Sequence, residues 1–145
     1  MKVSLIMTRE PATLAPTATC GEAATLMKQE DCGSIPIVED ATLVGIVTDR
    51  DIVLRGVAAG RDPKTLPLSE VMSADPITIS PEAGVDEASD LMAKHQVRRL
   101  PVVEDGRLVG MVVIGQVARR DDHGQTGATL KEISEPKKRV RTGAP

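Results

Sequence analysis

Thr48, Asp49, Arg50 and Asp51 place a hydroxyl, two carboxylates and a guanidinium in four consecutive residues. A Thr followed three residues later by an acid can close a capping box, in which each side chain accepts from the other residue's backbone N–H at a helix start. Capping uses only part of a carboxylate, so Asp51 has lone pairs left for a ligand donor. Free N–H groups and the dipole at such a helix start favour a phosphate nearby. Arg50 either points to that anion or to solvent.

A second group is Arg98-Arg99 in "HQVRRLP". As strand residues they point to opposite faces, so one of them faces inward wherever the strand lies on a cleft. The planar guanidinium fork suits phosphate oxygens. The plain alternative is an exposed or ion-paired edge.

Other chemistries find less support. Asp49 with Asp51 could be a catalytic or Mg²⁺ pair, but no nucleophile–base set, P-loop or Gly-rich phosphate motif accompanies them. His95 sits at a predicted helix C-terminus, where a cation is favoured, and His123 in a loop. No Cys/His spacing fits zinc.

The elements that carry these groups repeat. Pro11, Pro36 and Gly45 recur as Pro76, Pro101 and Gly110, and the register holds without a gap from residue 6 to residue 54. Met7/Met72, Pro16/Pro81, Leu26/Leu91 and Leu43/Leu108 obey the same offset, so the chain is a tandem duplication. Each unit predicts a short strand (Ala12–Leu14; Ile77–Ile79), an amphipathic helix, two strands and a second helix starting at Thr48 or near Ile114. Asp40-Ala41 and Asp105-Gly106 mark tight hairpins.

The resulting class is α/β (α+β): two tandem β-α-β-β-α repeats packed with pseudo-twofold symmetry. The boundaries are repeat one over 3–60, a linker over 61–67, repeat two over 68–121 and a largely flexible tail over 122–145. In that tail a Thr126-capped helical turn or two is expected. A single unit buries too little apolar surface to stand alone, so the pair shares a core with clefts between its halves.

Composition narrows the function classes. The 145 residues contain no Phe, Trp or Tyr, which excludes aromatic ligand cages and base-stacking platforms. Net charge is −3, and without Lys137, Lys138, Arg139 and Arg141 near the C-terminus it is −7. Nucleic acid is therefore not an expected partner of the body. No apolar run approaches a membrane span and no signal peptide is visible, so a cytoplasmic location is expected. Cys20 and Cys32 bracket a helix, too far apart for a disulfide, and align with Val85 and Val97 as small buried hydrophobes.

The segments "IMTREPATLAP" and "VMSADPITISP", "SIPIVED" and "RRLPVVEDG", and "LVGIVTDRDIV" resemble the cystathionine-β-synthase (CBS) domain family. The resemblance runs over about residues 3–120 and is similar to stand-alone bacterial pairs of the hypoxic-response type. It implies a non-catalytic regulatory module, commonly a homodimer, that binds an adenosine-containing ligand (AMP, ADP or ATP) between the repeats and needs no resident cofactor. It also implies that Asp51 takes the ribose hydroxyls, with Thr48, Arg50, Arg98 and Arg99 around the phosphates. Adenine would lie near Ile46, Ile77 and Ile79, with Pro101 beside them.

Repeat two has Val113, Ile114, Gly115 and Gln116 in place of the Thr48–Asp51 run, and repeat one has Gly33 and Ser34 in place of the arginines. One ligand per chain is the expectation. The competing readings are a ligand-free interaction protein acting through homodimerisation, and a nucleotide hydrolase using Asp49 or Asp51.

Overall fold

The structure is a computed structural model describing residues 1–120 and 125–135. His123 and the basic residues Lys137, Lys138, Arg139 and Arg141 lie outside the described residues.

Repeat one contributes β1 (Thr8–Arg9), α1 (Cys20–Glu30), β2 (Ser34–Glu39), β3 (Thr42–Thr48) and α2 (Asp49–Asp51), which runs on into a π-helical segment, Ile52–Val57. Repeat two contributes β4 (Ser73–Ala74), α3 (Val85–His95), β5 (Arg99–Glu104), β6 (Arg107–Val113) and α4 (Ile114–Ala118). A further helix, α5 (Gln125–Ser134), follows.

Both hairpins pair as the repeat dictates, Ile35 with Val47 and Leu100 with Val112. Their turns take left-handed φ at Asp40 and Ala41 (51° and 66°) and at Asp105 and Gly106 (53° and 78°). That is the two-residue turn whose twist suits a hairpin. Ile35, Pro36 and Ile37 are buried in succession, as are Leu100, Pro101 and Val102, so both faces of each strand are covered.

The two units exchange their first strands. β1 of repeat one pairs with β6 of repeat two (Thr8 with Met111), and β4 of repeat two pairs with β3 of repeat one (Ile46 with Ser73). The backbone agrees: Val3 N donates to Ala83 O, and Leu68 N donates to Ala18 O in the equivalent bond. Val3 thus belongs to the core of repeat two, while Leu66, Leu68 and Val71 belong to that of repeat one. Part of the expected linker is therefore docked: Leu66 is 2% exposed. The two half-sheets join directly at Thr42 and Arg107.

Three expectations change. The strands expected at Ala12–Leu14 and Ile77–Ile79 reduce to single parallel bridges, Leu14 with Ile37 and Ile79 with Val102. Pro11, Pro16, Pro76 and Pro81 flank these segments, fix φ and supply no backbone donor, which stops a longer ladder. Cys32 is exposed, unlike Cys20. Its helix ends at Glu30 and turns through a left-handed Asp31, so helical periodicity no longer governs position 32. Burial pushes the Cys20 thiol above the usual thiol range.

The third change is α5, ten residues long where a turn or two was expected. It packs on α3: Ile133 joins the core of repeat two, and buried Thr129 donates to buried Ser89 at 3.2 Å. The Gln96 amide caps its end by donating to Glu132 O and Glu135 O. No helix of the described residues is long and apolar enough to cross a membrane.

Candidate functional site

At the β3–α2 junction the capping box forms. Asp51 N donates to Thr48 Oγ1 at 3.1 Å, and Thr48 N donates to Asp51 Oδ2 at 2.9 Å. Both side chains are half-buried. Asp51 Oδ1 carries no protein hydrogen bond among the described residues, so acceptor capacity remains beside the cap. Asp49 is held separately, its Oδ1 accepting from Arg50 N at 2.8 Å. Arg50 and Arg98 are exposed, and neither is in an ion pair among the described residues.

Arg99 reaches this junction from the other repeat. A Cβ placed on Gly33 would stand 3.2 Å from Arg99 Nη2 and 3.2 Å from Asp49 Oδ2. Gly33 O also accepts from Asp49 N at 3.0 Å, which fixes the glycine against the start of α2. Gly33 has no left-handed φ, unlike Gly60 and Gly106, so glycine serves here as space. The arginine from repeat two and the polar turn from repeat one meet over it.

The apolar candidates divide into two groups. Ile46 and Ile77 are half-buried; Ile46 pairs with Ser73 of β4, and the chain runs from there through Asp75-Pro76 to Ile77. Ile79 and Pro101 are buried in repeat two, where Ile79 N donates to Pro101 O at 3.0 Å. Ile79 and Pro101 expose little surface, whereas Ile46 and Ile77 retain part of theirs.

The equivalent corner of repeat two is built differently. Gln116 replaces Asp51 and keeps half of the cap, its Oε1 accepting from Val113 N at 2.8 Å. Val113 has no hydroxyl to return the bond. The Gln116 amide nitrogen donates to Thr8 Oγ1 at 2.9 Å. Both ends of this side chain are thus engaged by protein.

Sequence reasoning missed two partners of this corner. The sequence alone presents Asp49 only as a metal or catalytic mate of Asp51, and Gly33 only as a position lacking charge. What marks both is their proximity to Arg99, which lies far away in the chain. No group of three or more His, Cys, Asp or Glu able to hold a metal occurs among the described residues. A groove of about 650 Å³ lies elsewhere, between Leu14, Thr19, Leu26 and Lys64 beside α1, and contains none of the predicted site residues.

Two exchanged β-α-β-β-α units with a polar corner between them define a tandem-repeat module of mixed helix and antiparallel sheet. The CBS domain family matches residues 3–57 and again 68–122, and the chain belongs to that family. It is 47% identical to the CBS domain-containing protein YhcV of Bacillus subtilis over 129 residues, 88% of this chain and 91% of that one. It is 41% identical to Hypoxic response protein 1 of Mycobacterium tuberculosis over 119 residues, 81% of this chain and 83% of that one.

Among solved structures, the CBS domain pair of MJ0100 with 5-methylthioadenosine and S-adenosyl-L-methionine superposes with a TM-score of 0.75 at 29% identity, covering 83% of this chain and 94% of that one. CBSX2 in complex with AMP gives 0.71 at 25% identity, covering 90% and 98%.

Proposed function

We propose that this CBS pair is a non-catalytic regulatory module that binds one adenosine-containing ligand of the AMP, ADP or ATP class between its repeats. The observation that carries the reading is the meeting of Arg99 with the Thr48–Asp51 turn across Gly33. A carboxylate with acceptor capacity suits vicinal ribose hydroxyls, and a guanidinium from the facing repeat suits phosphate oxygens. Ile46 and Ile77 offer aliphatic surface to the base, Ile77 packing against the repeat-two core that contains Ile79, while Pro101 is buried. Arg50 and Arg98 stand exposed nearby in the chain and add positive charge for the phosphates. The adenosyl compounds in the MJ0100 and CBSX2 structures support the ligand class. Ligand bridging the two repeats would draw them together and change the surface offered to a partner.

Calorimetry with AMP and ATP on the wild-type chain and on Asp51→Ala tests this. Loss of binding in a variant whose circular dichroism is unchanged is expected; equal affinity in the two proteins sinks the assignment of Asp51.

A second reading, a ligand-free interaction protein working as a homodimer, draws on the exposed apolar residues of the π-helical segment. Val53, Leu54 and Val57 are 53%, 48% and 58% exposed. A chain that sediments as a dimer and shows no thermal shift with AMP, ADP, ATP, NAD or S-adenosylmethionine would favour it. Saturation at 100 times Kd should add about 2.7 kcal/mol to stability, well above detection.

A further inference from the structure

We propose that Asp49 determines the charge preference of this cleft by opposing each additional phosphate at the Arg99 end. The inference rests on the adenosine-ligand reading above and assigns a role to a residue that neither the capping box nor the ribose requires.

Three observations carry it. Asp51, not Asp49, supplies the cap carboxylate. Asp49 is nevertheless oriented: Arg50 N holds Oδ1, and Oδ2 faces the empty side of Gly33 at 3.2 Å from where a Cβ would stand. Arg99 Nη2 occupies the same clearing from the other repeat, again at 3.2 Å. The two do not close into an ion pair, since the ion pairs of the described residues are Lys2–Glu82 and Arg61–Glu70. Arg99 therefore keeps donors for an incoming anion, but that anion must approach beside a fixed carboxylate.

Attraction by Arg99 and repulsion by Asp49 act on the same phosphate oxygens. The repulsive part grows with ligand charge and vanishes for adenosine. At a solvent-accessible site, unit charges several ångströms apart alter affinity by about three- to fivefold per charge. A carboxylate in this place thus compresses the advantage that a triphosphate would otherwise hold over a monophosphate. Asp49 also lies in the first turn of α2, where an acid steadies a helix start. That role would change stability and all ligand affinities alike, without reference to phosphate number.

The test is calorimetry on the full chain, wild type and Asp49→Asn, with adenosine, AMP, ADP and ATP at low ionic strength in EDTA. The expected result is adenosine affinity unchanged within about twofold, AMP tightened about tenfold and ATP more strongly still, with the gains shrinking in 0.5 M salt. An equal change for all four ligands, no change, or weaker nucleotide binding overturns the role of Asp49 while leaving the binding site itself standing. If the wild-type chain binds none of the four, the adenosine-ligand reading falls and this inference falls with it.

Discussion

Met72 lies directly on Gly45: a Cβ on that glycine would stand 2.6 Å from the Met72 sulfur and 3.0 Å from the Ser73 carbonyl oxygen. Met7 stands in the same relation to Gly110, at 2.6 Å, with the Thr8 carbonyl oxygen at 2.9 Å. Each methionine immediately precedes the short strand that one repeat lends to the other. The glycines that keep frame in "GIVT" and "GMVV" are thus the seats of the exchange, and their lost side chain is what lets the borrowed strand approach.

Substituting either glycine should therefore loosen the union of the repeats. Gly45→Ala or Gly110→Ala forces a methyl against sulfur and, less forgivingly, against a backbone carbonyl. A loss of about 1–3 kcal/mol is expected, read from urea denaturation. Adding Met72→Ala to Gly45→Ala should produce a smaller loss than the two single effects combined, because the clash and its partner disappear together.

The hairpin turns offer a stabilising change. Ala41 holds a φ of 66° where the other repeat has Gly106 at 78°. A Cβ in that region carries a steric cost that glycine lacks. Ala41→Gly should raise stability by about 0.5–1 kcal/mol, and Gly106→Ala should lower it by a similar amount, both measured by thermal melting. Equal melting temperatures for Ala41→Gly and wild type would mean that the turn relaxes the strain by another route.

Much of this fold was legible because its determinants are local and duplicated. The Asp40-Ala41 and Asp105-Gly106 turns, the helix starts and the Thr48–Asp51 cap each depend on residues within a few positions. The strand exchange was not legible, since the 65-residue offset is the same whichever unit a first strand joins. The meeting of Arg99 with Asp49 and Gly33 was hidden for the same reason, being set by how the units face each other. Helix α5 has no counterpart in repeat one, so the duplication was silent about it. Its holdfasts, Ile133, Thr129 and Gln96, become apparent only once α3 is beside it. Cys32 was misplaced because alignment with Val97 conveyed the residue's position but not its exposure.

Gln116 and Asp51 should separate stability from binding. Gln116→Ala removes the acceptor for Val113 N and the bond to Thr8, and should cost about 1 kcal/mol, as for a lost cap. Asp51→Ala removes an equivalent cap bond and should cost about the same. Calorimetry should then find one ligand per chain retained in Gln116→Ala and none in Asp51→Ala. Two ligands per chain in the wild type would refute the single-site reading outright.

The two thiols should differ in reactivity and in their response to pH. Cys32 is exposed, so a small alkylating reagent should label it in the native chain; Cys20, fully buried, should react only after denaturation. Burial holds the Cys20 proton more tightly in the folded state than in the unfolded one. The folded pKa is raised, so the associated stability is fully present below the ordinary thiol range and is lost as pH rises through the folded value. Denaturant midpoints should therefore fall on the alkaline side in wild type and fall less steeply in Cys20→Val, which replaces the thiol with the residue found at the matching position, Val85. Parallel pH profiles for the two proteins would show that Cys20 contributes nothing to the alkaline loss.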